Sequence, residues 1–278
     1  MEKSSYSEID IIKSFKKLGL KRGDNIFVGT SLGMFGLPKK VKTQNQLNKI
    51  FYSSLIKVIG VKGNMFVPTY SFTFGVPHWK NFLKKEKKFQ RKIDSCFTKQ
   101  TKSEVGPFTN FFLKQKNVIR SQDPMVSVSG SGPLIKKIFK NLPHTSYGKD
   151  CLFERLLKLK NLKILSLGLG TGWAPFFHYV ENLANVPYRF KKNYSGRLFF
   201  NNKLTYINWE YHSRILDERT ITSGYRISKI SARKKIWKSI DLGRSRINIC
   251  NYQKFFRFTL NKVKKNKWYL AKGPRFTV

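Results

Sequence analysis

Residues 162–167 read Leu-Lys-Ile-Leu-Ser-Leu and run directly into Gly168-Leu169-Gly170-Thr171-Gly172. A short apolar run bounded by turn residues is a buried strand. The glycine-rich turn then opens a helix from Phe176 to Ala184. The same alternation recurs upstream. Ile11, Ile12, Phe15 and Leu18 stand at helical spacing behind a capping box read at Ser5 to Glu8, and Gly19 stops them. Ile26 to Val28 is a short apolar strand. A helix from about Thr43 carries Leu47, Ile50, Phe51, Leu55 and Val58 on one stripe. Met65 to Val67 is a further strand, stopped by Pro68. Short apolar strands alternating with helices over the first 185 residues predict an α/β fold.

Further elements are expected as helices at about 107–115, 132–140 and 151–159, and strands at about 197–208. Ile247 to Ile249 reads as a last core strand and Gln253 to Lys264 as a closing helix. Ser129 to Pro133 reads as a turn. Residues 70–106 are polar, rich in Lys and aromatics, and without periodicity. A segment that long reads as a lid over a site. One domain is expected over residues 1–278, with 197–278 as its C-terminal part.

Of four histidines, only His178 stands just after the buried strand with a carboxylate, Glu181, three residues on. Residues at that spacing share one helix face. A neutral imidazole takes a proton, and an adjacent carboxylate orients the ring and stabilises its charged form. Gly168 to Gly172 lacks the third glycine and the following acid of a dinucleotide fingerprint. Cys151, ahead of a helix, is a second nucleophile to consider, although a capping or core role suits it better.

The chain of 278 residues carries 55 Lys and Arg against 15 Asp and Glu, a net charge of +40. Such a surface attracts phosphates. The cations are spread along the chain rather than gathered in one arm, so nucleic acid is not the expected partner. Three distant cysteines, without a Cys-x-x-Cys pair, give no support to a disulfide framework or structural zinc and suit a reducing compartment. No run of about 18 uncharged apolar residues or N-terminal signal core is seen, so a cytoplasmic protein is expected.

Several runs, taken in order, resemble the aminoglycoside 3-N-acetyltransferase family. They are Leu18 to Leu32, Gly60 to Tyr70, Thr101 to Gly106, Arg120-Ser121-Gln122-Asp123-Pro124, Phe176 to Glu181 and Val186-Pro187-Tyr188-Arg189. The resemblance implies a three-layer α/β/α fold around a central mixed sheet and transfer of an acetyl group from acetyl-CoA to a sugar amine, without a metal. It implies His178 as catalytic base with Glu181 as its acid partner, and Thr30 and Ser31 along the pantetheine arm. Arg120, with Ser121 beside it, is the expected phosphate contact. The chain departs from the family pattern in having Gly29, Asp123 and Pro175 where members often have His, His and Thr.

Charge bears on the acceptor. A +40 chain repels a polycation at range and attracts a nucleotide-linked sugar. A nucleotide-linked amino sugar for surface glycan synthesis is therefore the expected acceptor, with an aminoglycoside antibiotic as the alternative. A non-catalytic basic binding protein on the same fold, or an RNA-associated one, is the reading from another class. A homodimer is possible.

Overall fold

The computed structural model describes residues 6–72, 74 and 96–273. Most of the expected lid, with His78, Trp79, Phe82 and Phe89, lies outside the described residues. The N-terminal half of the fold comprises α1 (Glu8–Lys17), β1 (Asn25–Thr30), a 3-10 turn (Leu32–Phe35), α2 (Gln44–Ile59) and β2 (Asn64–Pro68). Then come β3 (Phe97–Thr98), α3 (Pro107–Leu113), β4 (Ile119–Arg120), β5 (Val128–Ser131), α4 (Ile135–Phe139) and α5 (Leu152–Lys158). The rest is β6 (Leu162–Leu167), α6 (Phe177–Leu183), β7 (Arg189–Phe200), β8 (Lys203–Arg214), α7 (Tyr225–Arg233), β9 (Lys238–Leu242), β10 (Ser245–Asn251) and α8 (Tyr252–Lys265).

Seven strands form one sheet in the order β4-β5-β2-β1-β6-β10-β9. The central β2, β1 and β6 run parallel, and the outer strands pair antiparallel, so the sheet is mixed. The two-residue alternation of each strand divides the core. Ile26, Val28, Met65, Val67, Leu165 and Leu167 pack with α1, α2 and α3 on one face. Phe27, Phe66, Ile164 and Cys250 pack on the other, with α5, α6 and α8. These are the three layers that the family resemblance implies. The long antiparallel β7–β8 hairpin, edged by β3, lays Tyr194, Leu198, Phe200, Ile207 and Trp209 onto that second core.

Four local expectations change. The capping box sits two residues later, with Ser7 and Asp10 exchanging hydrogen bonds, because Tyr6 is buried and donates to Gly36 O at 2.8 Å. Ser129 to Ser131 is not a turn but part of buried β5. Its small residues admit Ile135, whose side chain lies 2.6 Å from where a Cβ at Gly130 would stand. The strands expected at about 197–208 extend further at both ends, as two 12-residue strands joined at Asn201-Asn202. Both asparagines have positive φ, the conformation of a tight hairpin turn. Helix α7 and strand β9 fill a stretch where the sequence shows no clear period.

The parallel strands β1, β2 and β6 all end on one edge of the sheet, at Thr30, Pro68 and Leu167. In open α/β sheets ligands bind beyond the carboxyl ends of such strands. The turn after β6 is held there by close backbone contact. A Cβ at Gly224 would stand 1.8 Å from Gly172 O, backbone on backbone, and one at Gly170 would meet nothing within 4 Å, although its φ is +75°. Gly224→Ala is therefore expected to cost about 3 kcal/mol or more by forcing the turn off α7. Gly170→Ala is expected to cost about 1–2 kcal/mol from the left-handed backbone alone. Urea denaturation of the two variants measures the difference, and equal losses would contradict the close-approach account.

Candidate active site

The turn from Gly168 to Gly172 sets the position of α6. A Cβ at Gly168 would lie 2.5 Å from Ser31 O, so this turn sits against the turn after β1. Trp173 then folds over Gly29. Its ring atoms lie 2.4–2.8 Å from where a Cβ at Gly29 would be, so the indole fills the space that a side chain at 29 would need. Phe176, Phe177, Tyr179 and Val180 bury the start of α6 in the second core. On this helix Glu181 is fully buried, while the His178 side chain keeps 31% exposure.

His178 Nδ1 lies 2.7 Å from Glu181 Oε2. The same oxygen accepts from Arg189 Nε at 2.5 Å, and Tyr188 donates its hydroxyl to Oε1 at 2.9 Å. Arg189 Nη1 donates to His212 O at 3.0 Å, and Nη2 stands 2.7 Å from His178 Nδ1. A buried carboxylate needs such company, since an unpaired one is costly. His178 Nε2 has no hydrogen-bond partner among the described residues. The Tyr147 ring meets the imidazole edge-on at 6.2 Å between centroids.

Burial, and then the charge of Arg189, lower the His178 pKa, and Glu181 opposes them. The ring is accordingly neutral at neutral pH. Burial pushes the Glu181 carboxyl up, but His178, Arg189 and the Tyr188 hydroxyl outweigh it and leave the carboxyl below its usual range. A neutral imidazole with one nitrogen held and one free is the geometry of a general base.

The other sequence-predicted residues divide. Thr30 and Ser31 end β1 half-buried, and neither hydroxyl has a partner among the described residues. They are thus available to a ligand. Arg120 is not. It is buried, stacks at 4.7 Å over Phe97, and donates to Ser127 Oγ, Thr69 O, Thr101 O and Lys99 O. Its buried guanidinium braces three chain segments and spends four of its five N–H donors on them, so it serves the fold rather than a phosphate at the surface. Ser121 is likewise buried, accepting from Val128 N at 2.9 Å. Asp123 is buried and caps the next turn through the N–H groups of Met125 and Val126, with its pKa pushed up by burial to about 6. Pro175 is buried ahead of α6. Cys151 is fully buried and its thiol is pushed up to about 12, which removes it as a nucleophile. His144 stacks on Trp209, and His212 is buried with Nδ1 unpartnered among the described residues.

Sequence reading missed Tyr188 and Arg189 as members of the cluster, although both lie in a run that carries the family resemblance. It also missed Arg244. That residue stands beside Gly36, against the turn after β1, in a cleft of about 770 Å³. Gly168 to Thr171 form one wall, Ser228 of α7 another, and Ser239, Asp241, Ser245 and Arg246 of the β9–β10 hairpin a third. The backbone N–H groups of residues 169–172 have no protein partner among the described residues. Arg244 is exposed and in no ion pair among the described residues, whereas Arg246 pairs with Asp241 at 2.5 Å. Among the described residues no cluster of three or more His, Cys, Asp and Glu exists to hold a metal. No described helix is long and apolar enough to cross a membrane.

Comparison with known structures finds the same fold. The YokD protein from Bacillus subtilis matches with a TM-score of 0.76 at 18% identity, over 94% of this chain and all of the other. An AAC-IIIb enzyme in a binary complex with CoASH gives 0.75 at 15%, over 98% and 100%. AAC-VIa bound to sisomicin gives 0.73 at 18%, over 94% and 98%. A search of curated proteins gave no match. The family description for aminoglycoside 3-N-acetyltransferases matches residues 37–264, a span that holds His178, Glu181 and Arg189 but begins after Thr30 and Ser31. With most of its length inside that match, the chain belongs to the aminoglycoside 3-N-acetyltransferase family.

Proposed function

We propose that this N-acetyltransferase acetylates an amino group of an aminoglycoside-type sugar, with acetyl-CoA as donor and His178 as base. The observation that carries the mechanism is the His178–Glu181 pair, with Nδ1 engaged at 2.7 Å and Nε2 free. The family and the relatives crystallised with sisomicin and with a gentamicin favour this acceptor over the nucleotide-linked amino sugar expected from charge. Charge acts at long range and sets encounter rates. A local pocket sets which ligand is held.

His178 Nε2 takes a proton from the acceptor's amine as the nitrogen attacks the thioester carbonyl. The new C–N bond forms, the C–S bond breaks, and the proton ends on the departing thiol. The unpartnered hydroxyls of Thr30 and Ser31, at the carboxyl end of β1, support a role in polarising the thioester carbonyl. The cleft suits the donor's phosphates. It offers the guanidinium of Arg244 and free backbone N–H groups in a glycine turn with positive φ at Gly168 and Gly170.

His178→Ala is expected to cut turnover by about 10²–10⁴ with CoA binding nearly intact. His178→Gln does not rescue, because an amide does not take the proton at neutral pH. Glu181→Gln harms less and moves the acid limb of the pH–rate profile to lower pH, because loss of the carboxylate disfavours the imidazolium. A thiol-release assay on sisomicin or gentamicin reads all three. Wild-type turnover in His178→Ala on a true acceptor would rule the base out.

Arg244→Ala is expected to weaken CoA about tenfold, which is ~1.4 kcal/mol. Salt separates the two substrates. Raising ionic strength weakens CoA binding to the +40 chain but relieves its repulsion of a polycationic acceptor. kcat/KM for an aminoglycoside should therefore rise with moderate salt at saturating donor. A fall would point back to an anionic, nucleotide-linked acceptor.

A further inference from the structure

The cluster around Glu181 contains a contest that the base role alone does not explain. His178 Nδ1 is 2.7 Å from Glu181 Oε2 and 2.7 Å from Arg189 Nη2. Nδ1 has one in-plane position. It either carries a proton and donates to the carboxylate, or keeps a lone pair and accepts from the guanidinium. The first arrangement turns the lone pair of Nε2 outward, where an acceptor amine can deliver its proton. The second turns an N–H outward and removes the base. The doubly protonated ring suits Glu181 but faces the guanidinium charge at contact distance.

Arg189 has little freedom to leave this position. Its side chain is 3% exposed, and its Nε and Nη1 are tied to Glu181 and His212 O. The ring is faced by Glu181 from its own helix, Arg189 from β7, Arg214 from β8, and Tyr147 from the loop before α5. Tyr188 completes the carboxylate, and Tyr211 and His212 face the guanidinium from β8. Two of the three charges nearest the ring are cations, and Arg189 is the one in contact with it.

We propose that Arg189 is a positioning residue for acetyl transfer: one guanidinium grips Glu181 and abuts His178 Nδ1, so that it orients the carboxylate for the ring and opposes a second proton on it. The base is thereby kept neutral and discharges its proton once the thiol departs. This inference rests on the reading of His178 as the base. Its consequence for the ring is measurable without turnover.

The test is the His178 titration midpoint, followed by ¹⁵N–¹H NMR on the full chain without substrate, together with the pH profile of kcat/KM. In Arg189→Gln the midpoint should rise by about one pH unit, since a cation in contact with the ring is removed. The sign follows directly. A higher midpoint means that the neutral base is lost at a higher pH, so activity at pH 6 falls more than at pH 8.5. Arg189→Lys keeps a cation and should shift the midpoint less.

Loss of Arg189 leaves Glu181 buried without its cation, so the single variant can fail to fold. Glu181→Gln and the Glu181→Gln/Arg189→Gln pair supply the same comparison with no buried unpaired carboxylate. The midpoint must be higher in the double variant than in Glu181→Gln. Equal midpoints, or a uniform loss of activity across pH, would overturn the proposal and leave Arg189 a packing residue. Wild-type turnover in His178→Ala would sink the base role instead, whatever the midpoints show.

Discussion

A carboxylate with no solvent exposure has to be compensated where it stands, and Glu181 is that carboxylate. Taking a charge out of water costs several kcal/mol unless charged and hydrogen-bonding partners replace the water. Here the partners come from two elements. His178 lies one turn away on α6, and Tyr188 and Arg189 lie at the entry to β7. The requirement ties the short helix to the long hairpin. Arg189 reaches on to the carbonyl of His212, so β8 is drawn into the same network. A seven-residue helix with four buried residues would be a weak element in isolation. Held between the core aromatics and this ion cluster, it presents the half-buried imidazole of His178 with Nδ1 fixed.

How much of this is legible in the sequence depends on whether the signal is local. Strand β6, its glycine turn and the His178–Glu181 spacing are all readable, because period and spacing lie within about twenty residues. Helix α2, from about Thr43, is legible for the same reason. Arg120 shows the opposite case. Its run carries the family resemblance, and an arginine beside a serine suggests a phosphate contact. Its four acceptors come from residues 69, 99, 101 and 127, and no local pattern says that they converge. Strand β5 is hidden because small residues that look like a turn are there to admit Ile135. Arg244 is invisible among 55 cations until the fold sets it beside the turn after β1.

The scarcity of acids sharpens the electrostatics. Three of the described ones, Asp24, Asp123 and Glu181, are buried and serve the protein itself. Asp24 accepts from Lys21 N at 2.8 Å and pairs with Lys163 at 2.6 Å, which locks the start of β1 to β6. Asp123 caps a turn, and Glu181 holds the ion cluster. Buried Arg120 and Arg189 nearly offset these three acids, so the surface carries close to the full net charge. A long-range field of that sign favours a phosphorylated donor and slows a polyamine acceptor, so the two substrates of one reaction meet the chain under opposite forces.

The departures from the family pattern each have a local structural setting. Gly29 removes a side chain at the end of β1, and Trp173 fills that volume while packing at 6.3 Å from Phe27. The indole belongs to the segment between the glycine turn and α6, so the lost side chain is exchanged for a packing contact that helps hold His178. Asp123 replaces an imidazole with a carboxylate that is engaged by backbone N–H groups two and three residues on. Pro175 gives up a hydroxyl one turn before His178 but stiffens the entry to the helix. Gly29 and Pro175 give up a polar group for firmer packing, while Asp123 exchanges one polar group for another that caps a turn. None touches the atoms around Nδ1 of His178. The departures alter the surroundings of the His178 cluster, while the contacts of its Nδ1 with Glu181 and Arg189 are unchanged by them.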